Sequence, residues 1–320
     1  MNRQEFLKRL LAGLTAGVLE PVLRSAESLA ATEKPVPRRP LGRTGVQVPI
    51  LALGGYHIGR IRSEAEAVRM IHHALDAGLF FFDSAESYQR GGSEERLGRA
   101  LKDRRQRAFL MTKTYEPANR DAAGAQRHLE GSLRRLQTDY LDLWQLHSVQ
   151  SPEDVDRAFR EGGAMEYILK AKKEGKVRFI GVTGHRHPDA NLRAIHYWDQ
   201  GWKFDTMQMP INAMDYHQES FQRRVLPELV KRNIGVIAMK TSADGRLLRR
   251  DLLNIRECLY YVWSLPVSVA VVGMLSMQEL QENLRHARSF RPLSESTRNR
   301  LLSRLKPHAD LSLEWYKRRP

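Results

Sequence analysis

Residues 79–113 read LFFFDSAESYQRGGSEERLGRALKDRRQRAFLMTK, and this stretch contains one repeat of the fold. Its two ends, 79–83 and 108–113, are short apolar runs of the kind that form buried strands. Between them, residues 93–103 carry apolar side chains at helical spacing. A strand, a helix and a second strand in this order are typical of a parallel α/β sheet.

The same alternation continues along the chain from residue 48. The predicted strands are 50–54, 79–83, 108–113, 140–146, 178–182, 205–209, 234–239 and 268–273. The predicted helices are 64–77, 93–103, 121–136, 153–174, 188–200, 218–232, 251–264 and 277–288. Eight strands predict a closed (β/α)8 TIM barrel in a single domain. A doubly wound open sheet is the alternative, but no Gly-x-Gly-x-x-Gly follows the first strand.

The segments on either side of the barrel complete the predicted domain organisation. Residues 37–48, with a turn at Thr44-Gly45, predict an N-terminal β-hairpin that closes the bottom of the barrel. The Pro-rich residues 32–40 read as a linker, and the barrel is assigned to 41–290. We expect the basic C-terminal extension, 291–320, to pack on the barrel.

Residues 1–31 have the order of charged, apolar and small residues that predicts an export signal. The opening resembles a twin-arginine leader, with Gln4 where the second arginine belongs, and it predicts a periplasmic location. The alternative is an amphipathic helix on a cytoplasmic protein, favoured by Glu20 and Arg24. The apolar run 10–19 is much shorter than the roughly 20 residues that span a bilayer, which argues against an integral membrane helix.

Charge and cysteine usage narrow the classes of partner. The chain of 320 residues has a formal net charge of +15, but its Lys and Arg are spread over the predicted helices, which favours a solvated surface over a nucleic-acid site. Cys258 is the one cysteine, so it forms no intrachain disulfide. The pairs His72-His73 and His185/His187 lack carboxylate or cysteine partners at ligand spacing, and no metal site is predicted. Oligomeric state stays open.

Ionisable residues stand at the ends of three successive predicted strands. These are Asp83, Lys113 and His147, and Tyr88 follows Asp83 by five residues. Taken singly, each has a structural explanation such as a helix cap, a loop residue or a packing residue. The chemistry of such barrels takes place at the carboxyl ends of the strands, where all four would meet.

These four residue types fit hydride addition to a carbonyl group. The addition leaves negative charge on oxygen, so a proton donor placed there lowers the barrier. A free tyrosine has a pKa of about 10. We expect the Lys113 cation to lower the pKa of Tyr88, and Asp83 to keep Lys113 in place and charged. His147 would direct the carbonyl oxygen toward Tyr88.

The set resembles the aldo-keto reductase family, in which a strand ends in Asp, a Tyr follows five residues on, and Lys and His end the next two strands. The segments 41–45, 53–56 and 92–98 are also family-like, and the resemblance covers about residues 37–290. It implies NADP(H)-dependent reduction of a small aldehyde or ketone, with Tyr88 as general acid. His147 favours carbonyl reduction, because steroid double-bond reductases of the family carry Glu there. The alternative is a redox-sensing or regulatory subunit on the same barrel.

The resemblance also implies a set of cofactor-binding residues. They are Gly54, Gly55, Tyr56, Thr183, Gly184, Gln208, Met239, Lys240, Thr241, Gly273, Met274, Glu279, Glu282 and Asn283. Thr183-Gly184 replaces the family's Ser-Asn pair, and Met239 replaces a Tyr that stacks on the nicotinamide. Lys240 and the loop after it would reach the pyrophosphate. Glu279 falls where the family contacts the 2′-phosphate, and its charge would repel that group. NAD(H) is therefore an alternative cofactor to NADP(H).

Overall fold

Eight parallel strands close into a barrel in the computed structural model, which describes residues 34–115 and 120–317. Two strands form a separate hairpin, β1 Arg38–Pro40 and β2 Gln47–Pro49. The eight barrel strands are β3 Leu51–Gly54, β4 Phe81–Asp83, β5 Phe109–Thr114, β6 Leu141–Val149, β7 Val177–Gly184, β8 Thr206–Pro210, β9 Gly235–Met239 and β10 Val269–Val272. From β3 to β10 each strand pairs with the next in chain order, and β10 pairs with β3 to close the ring. The predicted (β/α)8 barrel is therefore confirmed.

Helices follow the barrel strands and cover their outer face. Their bounds are Gly55–Ile58, Glu64–Asp76, Gly92–Leu101, Ala122–Leu136, Pro152–Phe159, Ala164–Lys173, Pro188–Asp199, Phe221–Arg224, Leu226–Lys231, Arg246–Arg249, Ile255–Trp263, Met277–Ser289 and Glu295–Leu305. The Ser63 side chain accepts a bond from the N–H of Glu66 and so caps its helix. Ser276 caps Met277–Ser289 in the same way.

Two predicted helices are each divided in the structure. The segment predicted as 153–174 breaks because Gly162 adopts a φ of +70° and Gly163 pairs with Asp121 in an isolated β-bridge. The segment predicted as 218–232 breaks before Pro227, which has no N–H to continue the preceding helix. Both breaks depend on the backbone, so the apolar spacing alone could not show them.

The side chains of each barrel strand alternate between two cores. Ala52 points into the barrel, whereas its neighbours Leu51 and Leu53 point to the layer between strands and helices. The interior cluster contains Leu41, Val48, Ala52, Phe81, Phe109, Met111, Leu143, Ile237, Val269 and Val271. It fills the amino-terminal end of the barrel, so the carboxyl end is where a ligand can bind.

The β1–β2 hairpin seals that amino-terminal end. Strand β1 pairs antiparallel with β2, so residues 38–40, which the predicted hairpin 37–48 and the predicted linker 32–40 both included, belong to the hairpin. Leu41 and Val48 insert into the barrel interior and are fully buried. The guanidinium of Arg39 donates to the carbonyl oxygens of Trp263, Leu265 and Val267 at 2.5, 3.2 and 2.9 Å.

The two ends of the chain differ in what the structure describes. The predicted export signal, residues 1–31, lies outside the described residues. In the C-terminal extension, helix Glu295–Leu305 packs Leu301 and Leu305 into the main core, and Leu313 is also buried there. Among residues 34–115 and 120–317, no helix is both long and apolar enough to cross a membrane.

Replacing Leu41 with Ala tests the sealing role of the hairpin. The side chain is fully buried, so its truncation leaves a cavity and should lower the free energy of unfolding by about 2–5 kcal/mol in urea titrations. Val230, which is 48% exposed, is the control, and Val230→Ala should change it by less than about 0.5 kcal/mol. Equal effects of the two substitutions would contradict the assignment.

Candidate active site

The carboxyl ends of the barrel strands form one edge of the barrel, here called the carboxyl rim. The buried ammonium of Lys113 lies at its centre. It lies on β5 and is 1% exposed. Its Nζ forms an ion pair with Asp83 at the end of β4, donates to the Ser84 carbonyl oxygen at 2.6 Å, and lies 3.3 Å from the Tyr88 hydroxyl. Burial is the largest single effect and would lower the pKa of Lys113, but the attraction and hydrogen bonds of Asp83 and Tyr88 together outweigh it and raise that pKa, so the lysine is charged.

The phenol of Tyr88 is kept protonated by its surroundings. Burial raises its pKa, the Asp83 carboxylate adds to this, and the Lys113 cation opposes both without reversing them. The expected lowering of the pKa of Tyr88 toward neutrality is therefore wrong for this geometry. The Nζ of Lys113 lies 4.8 Å from the centroid of the Tyr88 ring. A protonated tyrosine next to this ammonium can act as an acid.

His147 completes the group on β6. Its ring lies 5.8 Å from the ring of Tyr88, edge to face. Burial, followed by the charge of Lys113, holds the pKa of His147 well below its usual value, so the imidazole is neutral. Arg120, itself fully buried, donates to the His147 carbonyl oxygen at 2.8 Å and to that of Ser148 at 2.9 Å. Arg120 thus fixes the backbone that carries the His147 ring.

Aromatic rings form the wall beside these residues. Tyr56 packs edge to face against Tyr88 at 5.4 Å between ring centroids, and Tyr115 packs against His147 at 5.5 Å. Tyr56, which the sequence placed among the cofactor residues, therefore lies beside Tyr88. Tyr115 was missed, although it follows Lys113 by two residues at the same strand end. Rings around a proton donor can hold a flat or apolar substrate.

The structure brings several predicted cofactor residues to this rim. Gln208 on β8 is buried and its Oε1 accepts a bond from Gln145 at 3.0 Å. Thr183 is the penultimate residue of β7, and its hydroxyl accepts a bond from the N–H of Ser148 at 2.9 Å. Met239 ends β9 and Lys240 follows it, both partly exposed, and Thr241 is buried. These residues lie at the carboxyl ends of three adjacent strands.

The glycines of the set share close packing at strand ends. A Cβ on Gly55 would lie 2.1 Å from the Asp83 carbonyl oxygen, and one on Gly273 would lie 2.0 Å from Nδ1 of His57. A Cβ on Gly54 would lie 3.1 Å from the carbonyl oxygen of Val272. A side chain at Gly55 would therefore clash with the backbone, one at Gly273 would displace the His57 ring, and one at Gly54 would be tightly packed.

Gly184 has a different neighbour, which explains why position 184 has no side chain. A Cβ there would lie 2.3 Å from Oδ1 of Asn191, a fully buried residue on helix Pro188–Asp199. The Asn191 amide therefore occupies the space that an asparagine at 184 would need. Sequence reasoning could not find Asn191, because its seven-residue separation from 184 carries no pattern.

The predicted cofactor residues that follow β10 have different surroundings and do not form one group. Met274 is fully buried in the main core and faces no cleft. Glu282 lies 3.5 Å from Nε2 of His286 on the surface of helix Met277–Ser289. Asn283 is buried, and its Oδ1 has no hydrogen-bond partner among the described residues. Glu279 is exposed, and its Oε2 accepts a bond from the N–H of Leu275 at 2.6 Å.

The donor set fits a nicotinamide dinucleotide. Gln208 and Thr183 offer amide and hydroxyl groups beside the proton donor, Lys240 offers a cation further along the rim, and Asn283 leaves a buried amide oxygen unused. This set of donors and acceptors is therefore compatible with a nicotinamide dinucleotide.

In the part of the chain that the structure describes, no group of three or more His, Cys, Asp or Glu side chains is arranged so that it could hold a metal ion. His185 lies 3.5 Å from the Ser148 hydroxyl and 6.4 Å from the ring centroid of Tyr316. His187 pairs with Asp189 and Glu219 at 3.0 and 2.9 Å. These histidines have structural neighbours, and Tyr316 brings the C-terminal extension to the rim.

The ion-paired lysine and the tyrosine lie at the carboxyl ends of the strands, where (β/α)8-barrel enzymes have their active sites. The fold and the site are therefore those of this class of proteins. The chain is a member of the aldo/keto reductase family, whose family model matches residues 50–259.

Individual relatives agree with this assignment. The chain is 35% identical over 182 residues to an uncharacterized oxidoreductase, YrpG, of Bacillus subtilis, a match that covers 46% of this chain and 56% of that protein. It is 32% identical to the methylglyoxal reductase YeaE of Escherichia coli, over 65% of this chain and 69% of the relative. The solved aldo/keto reductase of Klebsiella pneumoniae in complex with NADP and acetate is 26% identical, with a TM-score of 0.67 over 86% of this chain and 96% of that one.

The partly buried imidazole of His185 is expected to cause a loss of stability in acid. Burial, aided by Lys240, lowers its pKa to about 4. Unfolded histidine titrates near 6.5, so between these values the unfolded state binds more protons, and stability falls as the pH drops below about 6.5. His185→Gln should remove about 2–3 kcal/mol of the loss measured by urea unfolding between pH 7 and pH 4.5.

The exposed His73 on helix Glu64–Asp76 provides the control for this measurement. His73→Gln should leave the acid-induced loss as large as in the unaltered protein. An identical pH dependence in the His185 variant and the unaltered protein would show that His185 has its ordinary pKa.

Proposed function

We propose that the protein catalyses the NADP(H)-dependent reduction of an aldehyde or ketone to an alcohol, with Tyr88 as the general acid. The observation that carries the proposal is the charged, buried Lys113 bound to Asp83 and 3.3 Å from the Tyr88 hydroxyl. The family membership and an NADP-bound structural relative support it. The small-molecule substrate would enter between the rings of Tyr56 and Tyr115.

The nicotinamide cofactor supplies the hydride when bound. Tyr88 donates its proton to the carbonyl oxygen as negative charge grows there. Lys113 stabilises the phenolate that remains, because its ammonium lies next to the hydroxyl and Asp83 keeps it in place. His147 is neutral, so it orients the carbonyl oxygen by hydrogen bonding and does not compete as an acid.

We assign the cofactor's sections to successive parts of the rim. Gln208 and Thr183 would bind the carboxamide of the nicotinamide, and the partly exposed Met239 would contact the ring. Lys240 would bind the diphosphate, and Asn283 the adenine end. NADP(H) is the proposed cofactor, and NAD(H) use is compatible with the exposed carboxylate of Glu279.

Tyr88→Phe should abolish the reaction without abolishing cofactor binding. Loss of the hydroxyl removes the proton donor, so turnover of NADPH with a panel of small and aromatic aldehydes should fall at least about 100-fold. The dissociation constant for NADPH, measured by calorimetry, should stay within about twofold, since the hydroxyl is not assigned to the cofactor.

Tyr140 provides a matched control, because it precedes β6 at the opposite end of the barrel. Tyr140→Phe should retain turnover. Undiminished turnover in Tyr88→Phe would defeat the proposed role. Tight NADPH binding without multiple turnover in the unaltered protein would favour a redox-sensing subunit instead.

Glu279→Arg tests the adenine end. Reversing this charge removes the repulsion of a 2′-phosphate and adds a charge-assisted donor, so the NADPH affinity relative to NADH should increase about tenfold or more in parallel calorimetric titrations. Glu295→Arg makes the same change in charge at the start of helix Glu295–Leu305 and should leave the ratio as it is. An unchanged ratio in the Glu279 variant would remove Glu279 from the phosphate site.

A further inference from the structure

The 313–317 segment, Leu313–Lys317, lies against the loop that follows β8. The ammonium of Lys317 is 2% exposed. It donates to Asp215 Oδ1 at 2.6 Å, to Glu314 Oε2 at 2.8 Å and to the Gln218 carbonyl oxygen at 2.9 Å. A buried cation with all its donors occupied is stable only while these partners stay in place. The segment is therefore firmly attached to this loop.

Asn212, in the same loop, joins the segment to the loop after β9. Its Nδ2 lies 3.1 Å from each of three oxygens: Glu314 Oε1, the Tyr316 hydroxyl and the Lys240 carbonyl. The Tyr316 hydroxyl donates in turn to Glu314 Oε1 at 2.8 Å. One buried amide thus fixes the backbone of Lys240 relative to the 313–317 segment.

The side chain of Lys240 is held by the same segment. Trp315 Nε1 donates to Asp244 Oδ2 at 3.0 Å, and Asp244 Oδ1 accepts from Lys240 Nζ at 3.1 Å. The ammonium of Lys240 also lies 5.5 Å from the ring centroid of Trp315 and 5.4 Å from that of Tyr316, within the range of cation–π attraction. Its position therefore depends on two aromatic residues far along the chain.

The backbone of the loop after β9 requires such support. Lys240, Ala243 and Asp244 have φ values of +55°, +51° and +60°, a left-handed conformation that non-glycine residues adopt at a cost. Strain of this kind persists only where surrounding contacts enforce it. The bonds from Asn212 and Trp315 are contacts of this kind.

We propose that Trp315 is a positioning residue that acts through Asp244, and that Tyr316 is one that acts through Asn212 and its own ring, to hold the Lys240 ammonium in place for the diphosphate of a bound nicotinamide dinucleotide. The inference rests on the proposed function, because it assigns Lys240 to the diphosphate. A lysine binds phosphate as a point charge on a flexible stem, so restricting that stem in advance strengthens binding. Trp315 is 43% exposed, and its substitution should therefore affect binding more than folding.

A double-mutant cycle between Trp315 and Lys240 tests the proposal, with calorimetric titration of NADPH and the thermal midpoint as the two readouts. Trp315→Phe removes the bond to Asp244 and should weaken NADPH about fivefold, while the midpoint changes by less than about 2 °C. Lys240→Met should weaken NADPH about tenfold. The double variant should bind like Lys240→Met, because Trp315 acts only through the lysine.

Trp202→Phe is the matched control, since Trp202 packs against Phe159 on the outer helices. Its NADPH affinity should equal that of the unaltered protein. Undiminished affinity in Trp315→Phe overturns the positioning role, and so does a further loss when Trp315→Phe is added to Lys240→Met. If the unaltered protein binds neither NADPH nor NADH, the proposed function fails together with this inference.

Discussion

The buried ion pair between Lys113 and Asp83 is the interaction on which the rest of the site depends. An ammonium without water is stable only with a carboxylate and further acceptors beside it. Asp83 and the Ser84 carbonyl meet that need, and among the described residues Tyr88 is the third hydrogen-bond neighbour of the Lys113 ammonium. The first loop can approach this pair only because Gly55 has no side chain, since a Cβ would lie 2.1 Å from the Asp83 carbonyl oxygen.

The barrel explains why this part of the site was predictable from sequence. Parallel strands in chain order bring their carboxyl ends to one rim, so Asp83, Lys113 and His147 needed only correct strand ends to be placed together. Strand β4 ends at Asp83 as predicted, and β5 extends one residue past Lys113 to Thr114. Short apolar runs define those ends well, because a buried strand tolerates few polar residues.

Features that depend on distant contacts were not predictable in this way. The 313–317 segment reaches the rim through bonds between residues about a hundred positions apart, such as Lys317 with Asp215. Its basic composition suggested only that it packs on the barrel. The electrostatics of Tyr88 are similar, since the sequence shows the lysine that lowers its pKa but not the burial that raises it.

Charge at the adenine end shows why total charge does not decide cofactor choice. The chain has a formal net charge of +15, which favours anions in general. Helix N-termini in general favour anions, yet at the start of helix Met277–Ser289 Glu279 already supplies a carboxylate to the Leu275 N–H. A phosphate at that position would have to displace this carboxylate and stay close to its charge. Under the proposed placement of the cofactor, the choice between the two dinucleotides would depend on this one local side chain, whose repulsion acts at a few ångströms, where the distant positive surface is screened by salt.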